Sequence, residues 1–354
     1  MNSLEQLESR FTVEQPYLEQ SLSWREGMRY RYSPERYLLT QVQWQRMVDC
    51  GKVVGQLLEL QYGRSIIEFR LDYVADKSGQ LFVTEVQTDD RGLPALANER
   101  NARGKSPKEP FTGIVKPFLT ALRSLTGKND PLLLITYPQK EKFYYNGFYD
   151  FRKLCSAEQL GPQIIVTPQE RATSSSNGNM KLPIVMEGLT LNFVPDLVWN
   201  LDPNSAITGF PQIQPIVDKG FLITPNLKPY VPQTIIPDDT PLAPKDEWIL
   251  KPINGRWSRG VIIGKQVDQS LWNQQFQGKN KNIIAQEFIQ PRTDYFYVRT
   301  GNSQFSRLNL YSRIEGYYCI TSTGWQLADV LVTATSQYPV HGRRDAIMTL
   351  TQIS

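Results

Sequence analysis

The sequence predicts a mixed α+β protein in which β-strands outnumber helices. Apolar side chains between residues 34 and 60 recur with a period near 3.6, which predicts one long helix. Residues 66 to 86 alternate apolar and polar side chains on both sides of a turn at 76 to 79, which predicts a β-hairpin. Short apolar runs then recur from residue 131 to the carboxyl end, and these predict further strands with few helices between them.

The segments after residue 130 predict a small α/β unit followed by a series of strands. PLLLITY from Pro131, a helix-like stretch from Phe148 to Leu160 and the run QIIVT predict a small α/β unit. Beyond a proline-rich connection at 225 to 244, the pattern predicts strands WILKP, GVIIG and IIAQEFI, with a helix near Gln269 to Phe276. We therefore expect three parts. They are residues 1–130 with the helix and hairpin, 131–225 with the α/β unit, and 226–354 with the carboxyl-terminal strands.

Composition excludes several classes of protein. With 39 Lys and Arg against 35 Asp and Glu in 354 residues, the net charge of +4 predicts no nucleic-acid partner. Three widely separated cysteines do not form a disulfide framework, and a single histidine, His341, excludes histidine-rich metal sites. The absence of a long apolar run predicts no membrane partner, so we expect a cytoplasmic protein. A homodimer is left open.

Charged residues occupy one face of the predicted hairpin. Arg70 and Asp72 are two residues apart on the first strand, and Glu85 and Gln87 are two apart on the second, so each pair projects from one face. Carboxylate and amide oxygens beside a guanidinium suit Mg²⁺ that bridges phosphate oxygens. The alternative is an ordinary hairpin with one solvated face.

A lysine and a glycine-containing loop form the second candidate site. Lys251 ends the strand WILKP, and Gly255 and Gly260 follow it before the next strand. Glycines let backbone amides approach phosphates while a lysine supplies a point charge, although a hairpin turn explains the same pattern. The segment IIAQEFIQP follows about twenty residues later and could meet an adenine through its backbone.

Taken together and in this order, these segments resemble the ATP-grasp superfamily in the arrangement of eukaryotic-type glutathione synthetase and glutathionylspermidine synthase. The resemblance implies an ATP-grasp fold that holds the nucleotide between two β-rich subdomains, with a small α/β substrate or lid subdomain. It implies ATP and Mg²⁺ as cofactors and Arg70 as the group that stabilises the acyl-transfer intermediate. The residues it implies are Asp72, Glu85 and Gln87 for the metal, Lys251, Lys228, Gly255 and Gly260 for phosphates, and Gln286, Glu287 and Ile289 for adenine.

Some positions depart from the family pattern. Gln87 replaces the usual asparagine, and the segment VTATSQYPVHGRRDA replaces the glycine- and alanine-rich loop of glutathione synthetase, so glutathione chemistry is not implied. Asp89 and Arg91 follow the second hairpin strand and are candidates for binding an amino-acid substrate, with a solvated loop as the alternative. Arg313 is interpreted with equal weight as a triphosphate contact or a solvent-facing strand residue.

The favoured hypothesis is an ATP-dependent carboxylate-amine ligase that forms an amide bond through an acyl phosphate, with a small carboxylate and an amine as substrates. This chemistry requires no histidine base. Two alternatives remain: a nucleotide-binding protein without catalysis, and a phosphotransferase that acts on a hydroxyl.

Overall fold

The computed structural model describes residues 31–33, 35–62, 66–88, 96–97, 100, 113–126, 132–137, 154, 163–168, 184–187, 206–208, 219–253, 260–276, 282–300, 304–340 and 346–354. The strands are β1 (Arg31–Tyr32), β2 (Tyr37–Leu39), β3 (Glu68–Ala75), β4 (Leu81–Gln87), β5 (Leu132–Tyr137), β6 (Gln163–Pro168), β7 (Ile184–Glu187), β8 (Ala206–Thr208), β9 (Thr234–Ile235), β10 (Trp248–Pro252), β11 (Ile262–Ile263), β12 (Ile283–Glu287), β13 (Thr293–Thr300), β14 (Gln304–Thr321), β15 (Gly324–Thr335) and β16 (Ile347–Ile353). The helices are α1 (Gln41–Tyr62), α2 (Val115–Thr126) and α3 (Gln269–Gln274).

The largest sheet joins the predicted hairpin to the carboxyl-terminal strands. Its order is β1-β16-β15-β14-β3-β4, with β13 added to β14 and β2 added to β16. The pairing of β3 with β14 is antiparallel and places Asp72 opposite Glu315 and Arg70 opposite Tyr317. Segments more than two hundred residues apart in the chain therefore contribute neighbouring side chains to one face of this sheet.

Two smaller sheets complete the described fold. The order β11-β10-β12-β9 is antiparallel and carries Lys251, while β6-β5-β7-β8 is parallel. The predicted hairpin, the strands at PLLLITY and QIIVT, and the helix near Gln269 are confirmed. The strands at PLLLITY and QIIVT pair in parallel. The predicted helix from 148 to 160 lies outside the described residues, apart from Leu154. Within the described part of the chain, the helices are too short or too polar to cross a membrane.

The predicted helix over residues 34 to 60 is wrong at its beginning. Tyr37–Leu39 form β2, which pairs in parallel with β16 and buries both Tyr37 and Leu39. The helix starts only after Thr40, whose hydroxyl accepts from the Gln43 amide while the Gln43 side chain accepts from the Thr40 amide. This reciprocal capping box satisfies two amides at the helix start, so the backbone changes from strand to helix at Thr40.

Helix α1 covers one face of the large sheet and leaves the other for polar groups. Gly51 and Gly55 face the rings of Tyr318 and Trp325, and Tyr318 donates a 2.9 Å hydrogen bond to the carbonyl of Met47. Since side chains alternate along a strand, Glu315 and Tyr317 project from the face opposite Tyr318. The charged residues of the hairpin lie on that same opposite face.

Candidate functional site

The hairpin register brings the four predicted residues of β3 and β4 together. Asp72 pairs with Glu85, and Arg70 pairs with Gln87, across the antiparallel ladder. Directly paired residues project from the same face with their Cβ atoms about 5 Å apart. The structure thus places one guanidinium, two carboxylates and one amide on one patch of the sheet.

A network of ion pairs extends this patch onto β14. Arg70 Nε lies 2.8 Å from Asp72 Oδ1, and its Nη1 lies 3.4 Å from Glu315 Oε2. Arg313 donates to Glu315 Oε1 through Nε at 3.0 Å and Nη2 at 2.7 Å, and its Nη1 lies 3.5 Å from Asp72 Oδ2. Thr333 donates a further 2.7 Å hydrogen bond to Glu315 Oε1. Two guanidinium groups are therefore held between two buried carboxylates.

The two carboxylates of this network differ in their acidity. Burial raises the pKa of Glu315, but Arg313, Arg70 and the Thr333 hydroxyl outweigh it and hold that pKa at about 2. Burial dominates at Asp72 and raises its pKa to about 6, although Arg70 and Arg313 oppose the rise. Glu315 therefore remains ionised at neutral pH. A further cation placed beside Asp72 would stabilise the ionised form of that carboxyl.

Two lysines reach the patch from other segments. Lys219 begins a short 3₁₀ helix and its Nζ lies 3.3 Å from Glu85 Oε1. Lys251 on β10 donates a 2.6 Å hydrogen bond to Gln286 Oε1 and lies 3.4 Å from the Thr84 carbonyl. Burial works against the charge of Glu85, but Lys219, Arg70 and Lys251 hold the pKa of this carboxyl below its usual value.

These groups line an open cleft between the large sheet and the β9–β12 sheet. Three cationic and two anionic side chains belong to the described lining. This excess of positive charge, with two carboxylates beside it, favours an anionic ligand that carries a metal ion. Aliphatic and proline side chains form most of the rest of its wall, together with Thr84 and Tyr338. The lining residues are Asp72, Val74, Thr84, Glu85, Lys219, Ile249, Lys251, Pro252, Val261, Arg313, Tyr338, Pro339 and Val340.

The structure distinguishes between the two predicted phosphate lysines. Lys251 lines the cleft, whereas Lys228 is exposed and is not among the lining residues. Lys219, which was not among the predicted site residues, lines the cleft together with Lys251. The sequence around Lys219 gives little indication of a site residue, because a single lysine before the apolar residues FLI is not part of a motif. Gly260 has a φ of +73°, a left-handed conformation that glycine adopts without strain, as expected in a tight loop.

The remaining predicted residues fall in three places. Gln286 is buried, and its amide bonds Lys251 and Thr234 Oγ1, so this side chain positions the lysine. Glu287 is exposed and Ile289 is half-buried beyond it. Gly255, Asp89 and Arg91, and with them His341, lie outside the described residues.

A second depression adjoins the cleft at Tyr338. The Phe288 and Tyr338 rings meet edge to face at 5.8 Å, and Tyr311 meets Tyr338 at 5.9 Å. Lys265 Nζ lies 4.0 Å above the centre of the Phe288 ring. Gln266, Gln290, Pro291 and Gln337 complete its lining. These aromatic faces, next to the segment predicted to meet adenine, suit a planar ring.

The donor set fits Mg²⁺ that arrives with phosphates. One or two carboxylates together with substrate phosphate oxygens are the usual protein site for this ion. Apart from its ion pair with Arg70, the buried Asp72 Oδ1 accepts no hydrogen bond within the described residues, so it has a lone pair available to coordinate a metal ion. The described side chains contain no group of three or more Asp, Glu, His or Cys arranged to hold a metal alone.

The acidity of Lys251 predicts a pH-dependent affinity for nucleotide. Burial lowers the pKa of Lys251 to about 8, although Glu85 opposes this shift. Only the ammonium form attracts a phosphate, so the wild-type affinity for Mg·ATP should fall as the pH rises above about 8 and should level off below it. Calorimetric titrations between about pH 7 and 9.5 at constant ionic strength measure this. Lys251→Met should bind weakly throughout with no such fall, and a flat wild-type profile would contradict the assignment.

Comparison with known proteins gives structural neighbours only. No family model and no curated protein matches the chain. A glutathione synthetase-like effector from Globodera pallida, solved in its apo form, matches with a TM-score of 0.66 at 11% identity over 100% of this chain and 98% of that one. A putative gamma-glutamylcysteine synthetase from Methylobacillus flagellatus KT has a TM-score of 0.45 at 10% identity over 88% of this chain and 86% of that chain. The chain therefore has a sheet-rich fold similar to that of the glutathione synthetase-like effector.

Proposed function

We propose that the protein is an ATP-grasp ligase that joins a carboxylate to an amine through an acyl phosphate, releasing ADP and phosphate. One observation carries this proposal. A single cleft between two sheets brings together two carboxylates, Asp72 and Glu85, and three cations, Lys219, Lys251 and Arg313. Such a site can bind a polyphosphate and the metal ion that accompanies it, without any histidine or cysteine.

The cations would bind and orient the phosphates of ATP. Lys251 and Lys219 approach the cleft from the β10 side, while Arg313 approaches from β14 on the large sheet. Mg²⁺, when bound by Asp72 and Glu85 with the amide of Gln87 beside them, neutralises charge on the phosphate oxygens. The aliphatic wall formed by Val74, Ile249 and Val261 excludes water from one side of the site and strengthens each of these electrostatic contacts.

The proposed reaction has two steps. An oxygen of the substrate carboxylate forms a bond to the γ-phosphorus of ATP, and the bond from that phosphorus to the bridging oxygen breaks, so ADP leaves with the electron pair. The amine nitrogen then bonds to the acyl carbon, and the bond from this carbon to the phosphate oxygen breaks. Phosphate leaves with that oxygen, and the nitrogen loses a proton to a carboxylate or to water. The Arg313 guanidinium, which lines the cleft, would stabilise the negative charge that develops in both steps.

A pairwise screen tests the reaction class. Amino acids and other small carboxylates are offered in pairs with amines, and ADP release is measured with Mg²⁺ present. Release that requires one carboxylate and one amine together supports the ligase. Release with a hydroxyl compound alone would make the protein a phosphotransferase, and tight ATP binding without turnover in any pair would make it a binding protein.

Binding of Mg·ATP should raise the thermal stability of the protein. A ligand that binds only the folded state stabilises it by RT ln(1 + [L]/Kd), which is about 2.7 kcal/mol at a hundredfold excess over Kd. Differential scanning calorimetry with and without Mg·ATP measures this shift, and Mg²⁺ alone serves as the control. An unchanged melting temperature at millimolar Mg·ATP would count against nucleotide binding and so against the whole proposal.

A further inference from the structure

Two arginines belong to the charged network, but they face different ways. The Arg70 side chain is 9% exposed, is paired with Asp72 and Glu315, and is absent from the described lining of the cleft. The Arg313 side chain is 20% exposed and does line the cleft. The guanidinium of Arg70, which the family resemblance implied as the catalytic group, is therefore turned inward, and the guanidinium of Arg313 on β14 is turned towards the cleft.

The contacts of Arg313 leave one edge of its guanidinium directed at the cleft. Nε and Nη2 both donate to Glu315 Oε1, at 3.0 and 2.7 Å. Within the part of the chain that the structure describes, Nη1 makes only the longer 3.5 Å contact with Asp72 Oδ2. A guanidinium carries five N–H donors in a fixed plane. Arg313 can therefore donate to Glu315 along one edge and to phosphate oxygens along another.

Glu315 fixes this orientation. It lies beneath the cleft without lining it, is 2% exposed, and accepts from Thr333 at 2.7 Å and from Tyr317 at 3.3 Å in addition to Arg313. Its Oε2, which accepts from Tyr317, also lies 3.4 Å from Arg70 Nη1. Both carboxylate oxygens are therefore engaged within the sheet, so Glu315 holds the arginines and does not serve the ligand directly.

We propose that Arg313 is the guanidinium that contacts the terminal phosphoryl group of the nucleotide, and that Arg70 is a positioning residue that holds Asp72 and Glu315. The inference rests on the proposed function, because it assumes that the cleft binds a nucleoside triphosphate. Arg313 lies beside Asp72, 3.5 Å from its Oδ2, and the reacting phosphoryl group would be placed next to the carboxylates that hold its metal ion. Arg313 would accordingly let the site discriminate a triphosphate from a diphosphate.

Nucleotide titrations test this assignment. Isothermal titration calorimetry compares the magnesium complexes of ADP and of an ATP analogue with a non-hydrolysable β,γ-imido bridge. Arg313→Gln should weaken binding of the triphosphate analogue by about tenfold or more, since a hydrogen bond to a charged group is lost. Its affinity for ADP should change less than about threefold, because ADP lacks the contacted group.

The same strand supplies a matched control. Arg307 is also on β14 but is exposed, and its guanidinium stacks over the Tyr295 ring at 3.7 Å. Arg307→Gln should leave both affinities unchanged. If Arg313→Gln does not fold, the double variant Arg313→Gln/Glu315→Gln removes both charges of the pair and should show the same selective loss.

The outcomes separate the two proposals. If the wild-type protein binds neither nucleotide, the proposed function fails and this inference fails with it. If the wild-type protein binds the triphosphate analogue and Arg313→Gln binds it equally well, only the assignment of Arg313 is wrong. An equal loss for both nucleotides also overturns the assignment, because the contact would then lie on a phosphate that ADP retains.

Discussion

Replacing Glu85 with glutamine should reduce turnover at least about 100-fold while leaving the fold intact. Its side chain is 23% exposed in the cleft and pairs with Lys219, so the substitution removes a charge that matters most when phosphates and metal are bound. A 100-fold loss corresponds to about 2.7 kcal/mol of transition-state stabilisation. The measurement is steady-state ADP release with the acid and amine pair identified by the screen.

Two comparisons sharpen this experiment. Glu59→Gln makes the same chemical change on helix α1, at the opposite face of the large sheet from the cleft, and should keep wild-type turnover. Asp72→Asn should also lose turnover. Because Asp72 is buried and paired with Arg70 and Arg313, the thermal stability of this variant must be measured in parallel. Wild-type turnover in Glu85→Gln would remove this residue from the proposed reaction.

Replacing Gly51 or Gly55 with alanine should destabilise the protein by about 1–3 kcal/mol each through overpacking. An alanine Cβ at Gly51 would lie 2.0 Å from the Tyr318 ring, and one at Gly55 would lie 2.2 Å from the Trp325 ring. Both rings are buried. Tyr318 would lose hydrogen bonds to Tyr73 and the Met47 carbonyl if it moved, and Trp325 would lose its 4.8 Å ring contact with Phe69. The gain in helix propensity, about 1 kcal/mol, does not offset such a clash.

Urea denaturation measures this effect through the free energy of unfolding. Gln56→Ala on the same helix is exposed and should change that free energy by less than about 0.5 kcal/mol. Turnover per folded molecule should remain near wild type in the glycine variants, because the site lies on the other face of the sheet. Unfolding free energies equal to wild type would show that helix α1 does not approach the sheet so closely.

The sequence predicted the elements whose signals are local. Alternation along residues 66 to 86 predicts both the hairpin and the shared face of Arg70, Asp72, Glu85 and Gln87, because the side-chain period of a strand is a property of the strand itself. The same holds for the strand that carries Lys251 and for the helix at Gln269, which an aspartate cap begins.

Only the tertiary structure decided which separate segments meet at the site. Glu315 and Arg313 enter through the pairing of β14 with β3, and Lys219 enters from a short 3₁₀ helix. The same pairing places Arg70 between Asp72 and Glu315. Lys228 lies outside the described lining of the cleft. Tyr37 belongs to a strand because β16, over three hundred residues later, offers it a partner. Local periodicity shows which side chains share a face of a strand. Pairing between distant strands depends on the packing of the whole fold, so a short motif does not specify which strand it pairs with.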